Sequence, residues 1–400
     1  MTYQDVSKRS HANLDFKDTA VAFERYSDSE LRRSLLLFKV IGVPQLAKYG
    51  PGLASASLKL GLPIRGLLKE SIFGQFCGGE SIEECLQKIA KLSEAGVGTI
   101  LDYATEAVGS EAGFDKVAAE VKSTIHLAAK NKAVPFAVFK PTGIGRAALL
   151  EKCDRGLELT SEESSEYKRF ENRVASICRL AFKLKVRVLV DAEESWIQKT
   201  VDDVTTRMMR KYNQSQAIVY NTIQLYRRDK VEFLKESHKR AQDGGYQLGL
   251  KLVRGAYIEK ETEYAHDHGT VSPLHSDKPS VDKDYDDASL YCLHHLEGIA
   301  VCYGTHNEES VKKICQTMSQ LGISSSDSRI HFAQLYGMSD NLSFNLARAD
   351  YQVCKYLPYG KLEELLPYLS RRAQENSSIQ GQSSRELKLI QEELRRRTNG

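Results

Sequence analysis

The sequence predicts an α/β fold, a (β/α)₈ barrel, and two observations predict it. Eight short β-rich runs recur: VGTILDY (97–103), PFAVFK (135–140), VRVLVD (186–191), AIVYNTIQ (217–224), LGLKLV (248–253), IAVCYGT (299–305), RIHFAQ (329–334) and YQVCKYL (351–357). Several are nearly continuous in Val, Ile and Leu, the texture of strands buried on both faces of a parallel sheet. Between them lie amphipathic segments such as ESSEYKRFENRVASICRLAFKL, KVEFLKESHKRAQ and EESVKKICQTMSQLG. Strands alternating with helices build parallel sheets. An open doubly wound sheet is the alternative, and the count of eight favours closure.

The elements around the barrel follow in order. Residues 1–93 read as an N-terminal helical arm, clearest in SDSELRRSLLLFKVIG and ESIEECLQKIAKLSEAG. In the second, Ser81 and Glu84 have capping-box spacing, Ile82, Leu86, Ile89 and Leu92 share a face, and Gly96 ends the helix. LPIRGLLKESIFGQFCGG is apolar on one side, and HDHGTVSPLHSDKPSVDKDYDD (266–287) is expected to be an exposed loop. The barrel is assigned to 94–378 and a C-terminal helical tail to 379–400. Near the end of the barrel segment, Leu362, Leu365 and Leu369 mark a buried helical stripe whose next member is Arg372, with Arg371 beside it. A stripe that ends in guanidinium either snorkels to water or faces an anion.

Composition narrows the function classes. With 41% apolar and 27% charged residues the chain is ordinary for a soluble globular protein. Fifty-six bases against 53 acids give a net charge of +3, too balanced to argue for nucleic acid. The eight cysteines form no CxxC pair and read as reduced, buried thiols. The N-terminus lacks the apolar core of a signal peptide, and no stretch approaches 18 apolar residues. His266 with His268, and His294 with His295, lack a third ligand at a recognisable spacing, so no metal is expected. No GxSxG, P-loop or HExxH occurs.

In such a barrel the chemistry lies at the carboxyl ends of the strands. That rule selects Asp102; Lys140; Asp191 with Glu193 and Glu194; Gln224; Lys251, leading to Tyr257; Thr305, His306 and Asn307; Gln334; and Tyr356. Asp102 and Asp191 have a second reading as helix caps. The glycines of KPTGIG, after Lys140, read as a turn or a phosphate cradle.

Eight segments, ILDYATEA, LVDAEES, TIQLYRRD, KLVRGAY, THN, FAQLYGM, YLPYG and YLSRRAQEN, in this order, resemble the proline dehydrogenase family, from about residue 98 to 378. The arm is similar to that of the stand-alone bacterial form. The resemblance implies FAD-dependent oxidation of L-proline to Δ1-pyrroline-5-carboxylate, the first step of proline catabolism, by hydride transfer from C5 to flavin N5. Electrons would pass to a quinone. It implies that Arg371 and Arg372 grip the proline carboxylate, on a final helix lying over the barrel mouth, with Lys140 facing the same group. Leu335 and Tyr356 would contact the pyrrolidine ring. Tyr257 would close the pocket, Asp102 would support Lys140 and Tyr257, and Glu106 would orient Arg371; Lys140, Asp102 and Tyr257 are thus the catalytic candidates. On the cofactor side the resemblance implies Lys251, Val253, Arg254, Gly255 and Ala256 along the flavin, and Asp191 orienting Lys251. Gln224, His306 and Asn307 would meet the flavin and its phosphates, and Glu375 the adenosine ribose. Part of the family has arginine at the Lys251 position; lysine keeps the charge and loses the planar fork.

Two other readings compete. Hydroxyproline dehydrogenase shares the fold but is associated with a smaller residue in place of Tyr356. A Schiff-base aldolase barrel would use Lys140 and no flavin. The missing targeting signal fits the cytoplasm, with peripheral membrane contact, and a mitochondrial matrix enzyme whose leader has been removed would look the same. KESIFGQF and RELKLIQEELRRRT are the amphipathic candidates for that contact. With no aldehyde dehydrogenase segment after the arginine helix, a separate pyrroline-5-carboxylate/glutamate semialdehyde dehydrogenase is expected downstream.

Overall fold

The first expected strand pairs in parallel with the last, from Val97 opposite Val353 to Tyr103 opposite Tyr359. The strands are β1 (Val97–Tyr103), β2 (Phe136–Phe139), β3 (Arg187–Val190), β4 (Val219–Gln224), β5 (Leu248–Val253), β6 (Ile299–Gly304), β7 (Ile330–Leu335) and β8 (Val353–Tyr359). They close in chain order into one parallel barrel, as the sequence predicts. The computed structural model describes residues 14–104, 109–378 and 382–399. These pack as two compact units, one drawn from 107–333 and the other from 12–106 together with 334–400.

The first unit holds β2 to β6 and β7 up to Ala333 with their helices, including Glu111–Lys130, Ser161–Leu184, Ser195–Tyr212 and Glu308–Gln320. Its floor is aromatic. Near the amino ends of the strands, the Phe136 ring meets Tyr220 at 5.5 Å and His331 at 4.8 Å, both edge-on. Gly249, opposite Tyr220 in the β4–β5 register, leaves room for that ring: a Cβ there would stand 2.4 Å from the Val219 carbonyl and 2.9 Å from the Tyr220 ring. Burial pushes His331 down to about 3, so it is a neutral packing residue.

The second unit holds β1 and β8 with the helices Asp28–Ile41, Pro44–Lys59, Ile82–Glu94, Asp340–Arg348, Leu362–Ser378 and Gln382–Asn399. Phe38, Phe76, Leu362, Leu365, Leu369 and Ile390 share one core cluster. Pro44–Lys59 is helical although Gly50-Pro51-Gly52 lies inside it. Packing against Leu362–Ser378 offsets that poor propensity.

Three local expectations are corrected. Ser81 caps its helix by accepting from the Glu84 amide, but the Glu84 carboxylate accepts from Glu80 instead of Ser81, so the box is half-made. Reciprocal boxes occur at Ser27–Glu30 and Thr160–Glu163. Leu86 is exposed and Cys85 takes its place on the buried face. The stretch 266–287 is no extended loop: the helices Ile258–Asp267 and Lys278–His294 enter it from both sides, the second capped by Asp277. The two segments expected to meet a membrane keep their apolar sides inside, with Phe73 and Phe76 of the first and Leu389 and Ile390 of the second buried. No described helix is long and apolar enough to cross a membrane.

Candidate active site

In the first unit, strand register decides which charges meet. Phe139 and Val190 are partners across β2 and β3, and the next residues are Lys140 and Asp191. The Asp191 amide donates to the Phe139 carbonyl at 3.0 Å, and the Lys140 ammonium lies 3.7 Å from Asp191 Oδ2. Lys251, mid-strand on β5, places its Nζ 2.5 Å from Asp191 Oδ1. One buried carboxylate thus serves two ammonium groups from β2 and β5. Lys251 and Asp191 are both largely buried, so their pairing is screened little by water.

Glu193, two residues beyond Asp191, ties the neighbouring loops. Thr142 donates to it twice, from its amide at 2.8 Å and its hydroxyl at 2.5 Å. Gln224 Nε2 donates to the Glu193 carbonyl at 2.7 Å, and the Glu193 amide donates to Gln198. KPTGIG is therefore a turn anchored by a carboxylate. Burial pushes the Glu193 carboxyl up to about 7, with the Thr142 hydrogen bonds pulling the other way. Beneath, Asp202 accepts from Gln198, Asn221 and the buried Lys230, which fixes the frame on which Gln224 stands.

After β5 the backbone turns at Gly255. Its φ is +135°, and a Cβ there would lie 2.5 Å from the Tyr226 ring. Only glycine suits both. Arg254 just before it donates to Asp282 at 2.7 Å, Thr305 at 2.8 Å and Ser310 at 2.9 Å, with its guanidinium 4.3 Å from the centre of the Tyr285 ring. Burial works against the charge on Asp282, but hydrogen bonds from Lys278 and Arg254 outweigh it and hold the carboxyl below its ordinary value. Asn307 accepts from the Ser310 amide as a helix cap, with its Nδ2 3.4 Å from Asp282. His306, Val253 and Tyr257 are half-buried and Ala256 is exposed.

The second unit holds the remaining candidates. Asp102 is buried on β1, Tyr356 is buried on β8 opposite Ile100, and Leu335 closes β7 half-buried. The backbone amide of Tyr336 donates to the Tyr356 carbonyl at 2.9 Å. Arg372 extends the stripe of Leu362, Leu365 and Leu369 inward: it is 6% exposed, with its guanidinium 5.2 Å from the centre of the Tyr368 ring. Arg371 is half-buried. Snorkelling to water is excluded for Arg372. Glu106 and the side chain of Glu375 lie outside the described residues.

Comparison with known proteins decides the family. The sequence profile described as Proline dehydrogenase matches residues 85–385. The chain belongs to the proline dehydrogenase family. It is an oxidoreductase of that family, similar to "Proline dehydrogenase 1, mitochondrial" of Dictyostelium discoideum, at 33% identity over 98% of this chain and 76% of that protein. It is 34% identical to "Carbapenem antibiotics biosynthesis protein CarD" of Pectobacterium carotovorum subsp. carotovorum over 84% of this chain and 87% of that one. It is 31% identical to "Hydroxyproline dehydrogenase" of Xenopus laevis over 96% and 90%. Among solved structures, proline utilization A of Bdellovibrio bacteriovorus shares the fold with a TM-score of 0.71 at 21% identity. The match covers 94% of this chain, which spans 38% of that longer one.

The donor set of this proline dehydrogenase family member fits a flavin nucleotide. Arg254 commits three N–H groups to its fixed partners and has two more to offer phosphate oxygens. Lys251 supplies a positioned cation. Sequence reading missed the supports: Asp282, Ser310, Thr142 and, as an anchor, Glu193. The signal for Asp282 was present, since HSDKPSVDKD lacks glycine and carries a cap, but its polarity made it read as a loop.

Proposed function

We propose that this protein oxidises L-proline to Δ1-pyrroline-5-carboxylate, with FAD as cofactor and a quinone as electron acceptor. The observation that carries the reading is the Asp191 carboxylate shared by Lys140 and Lys251. It supports a division of labour in which Lys140, with Arg371 and Arg372, receives the substrate carboxylate while Lys251 serves the cofactor. Two guanidinium forks match a carboxylate bidentately, and orientation of the ring is the main catalytic contribution asked of the protein. FAD, when bound, supplies the acceptor for the hydride leaving C5. Tyr356 and Leu335 bound the pyrrolidine ring, Tyr257 closes the pocket and Asp102 positions Lys140. Gln224, Val253, Arg254, Gly255, Ala256, His306, Asn307 and Glu375 line the cofactor. The segments 1–93, 94–378 and 379–400 act as arm, catalytic barrel and tail. Contact with the membrane is peripheral, and a separate dehydrogenase takes up the product.

The similarity to a hydroxyproline dehydrogenase favours one second reading, the hydroxylated substrate. The buried Tyr356 argues for proline, because a hydroxyl against its ring would lose water without a partner. Acid release of the cofactor, identified by chromatography, and dye reduction by L-proline against trans-4-hydroxy-L-proline test the proposal. FAD and a preference for L-proline are expected. A preference for the hydroxylated substrate selects the second reading, and a protein that binds no flavin overturns both.

A further inference from the structure

We infer that the helical segment 31–69 docks this protein on an anionic lipid surface. The inference deepens the peripheral membrane contact proposed above and rests on it. Fifteen large apolar side chains are well exposed among the described residues, and nine lie between Leu36 and Leu67. Such clustering is what single scattered leucines do not show. On the helix Pro44–Lys59, Leu46, Tyr49 and Leu53 follow at +3 and +4, a single face, at 51%, 59% and 67% exposure. Leu60 continues the line past the helix end at 78%. The same helix packs against Leu362–Ser378, and its Leu58 joins the core cluster. It is therefore seated on the helix that carries Arg371 and Arg372, with its leucine face outward.

Charge selects the occupant. From Leu31 to Lys69 there are seven basic residues and no Asp or Glu. The rest of the chain has 49 bases against 53 acids, a net −4, so the whole excess of positive charge sits in this segment. Arg32, Arg33 and Lys39 are exposed, while Arg65 and Lys69 share Glu80. A basic helical segment with leucines and a tyrosine on one face lies in the headgroup region, its apolar face entering by ~5–10 Å while the cations are drawn to an anionic leaflet. A second protein would have to match both an apolar stripe and a net positive field carried by the exposed Arg32, Arg33 and Lys39; an anionic bilayer offers both.

The test is flotation of the full chain with phosphatidylcholine vesicles containing 30% phosphatidylglycerol, against pure phosphatidylcholine, at low and high salt. The wild type is expected to float with the anionic vesicles, at least tenfold less with the neutral ones, and less at high salt. Leu53→Glu with Leu60→Glu should abolish flotation and leave dye-linked proline oxidation within twofold. Leu53→Gln, a milder surface change, should weaken it. Absence of flotation with anionic vesicles, or undiminished flotation of the double variant, overturns the inference. So does a concentration-dependent dimer, seen by light scattering, that the double variant dissociates. Dye-linked activity is read in the same samples, so failure of docking and failure of the proposed reaction are separable.

Discussion

At the residue scale, what matters most is where a charged or titratable group is buried. Arg372 is the sharpest case, a buried guanidinium at the end of a leucine stripe. Arg372→Ala should raise KM for L-proline roughly 10- to 150-fold, the equivalent of ~1.5–3 kcal/mol for a hydrogen bond to a charged group. Arg372→Lys should recover only part of this, because an ammonium lacks the fork. Steady-state kinetics with thermal denaturation as a folding control check both. Glu193 gives a pH signature. Its folded-state pKa, about 7, lies above the ordinary carboxylate value of ~4.3, so folding favours the protonated form. Its contribution is therefore present at low pH and lost as pH rises across that window. Thermal midpoints between pH 4 and 8 should show this decline in the wild type and a flatter profile in Glu193→Gln. Arg372 was legible in the sequence because a periodicity pointed to it. Glu193 stood among the strand-end residues, but its grip on Thr142 depends on two loops 51 positions apart, which no local pattern reveals.

At the element scale, strands were easier to read than the joints between them. The β-rich runs located all eight strands to within a few residues, most plainly those nearly continuous in Val, Ile and Leu, which suit burial on both faces. The loop after β5 is a joint of the harder kind. Gly255→Ala should lower the thermal midpoint by an amount corresponding to ~1–3 kcal/mol, because the added methyl must displace the Tyr226 ring and adopt a left-handed φ. The purified variant should also retain less flavin. A second joint is the buried pair of Lys355 on β8 and Asp340, 2.7 Å apart, with Tyr26 also donating to Asp340 at 2.6 Å. Lys355→Met should destabilise by ~3–5 kcal/mol by leaving the Asp340 carboxylate buried without its cation; chemical denaturation of the variant measures this. Lys355 drew no notice in the sequence, because its partner Asp340 stands on a separate helix. The polar stretch 266–287 misled for a related reason: composition marked exposure, while the Asp277 cap and the Asp282–Arg254 pair made it ordered.

At the scale of the whole molecule, a barrel, a carboxylate shared by two lysines and an inward arginine helix belong to a family of oxidoreductases. The barrel and the family were legible because eight buried strands and the segments KLVRGAY and YLSRRAQEN are specific. The exposed leucines of 36–67 were not, since a leucine-rich helix reads as core until its neighbours are known. The proposed activity is that of a flavoenzyme built for proline. The most direct measurement is the anaerobic visible spectrum of the purified protein before and after L-proline, with trans-4-hydroxy-L-proline as comparison. Flavin bands are expected to bleach with L-proline, and far less with the hydroxylated analogue. A protein that stays colourless after incubation with FAD, or flavin bands unchanged by L-proline, would contradict it.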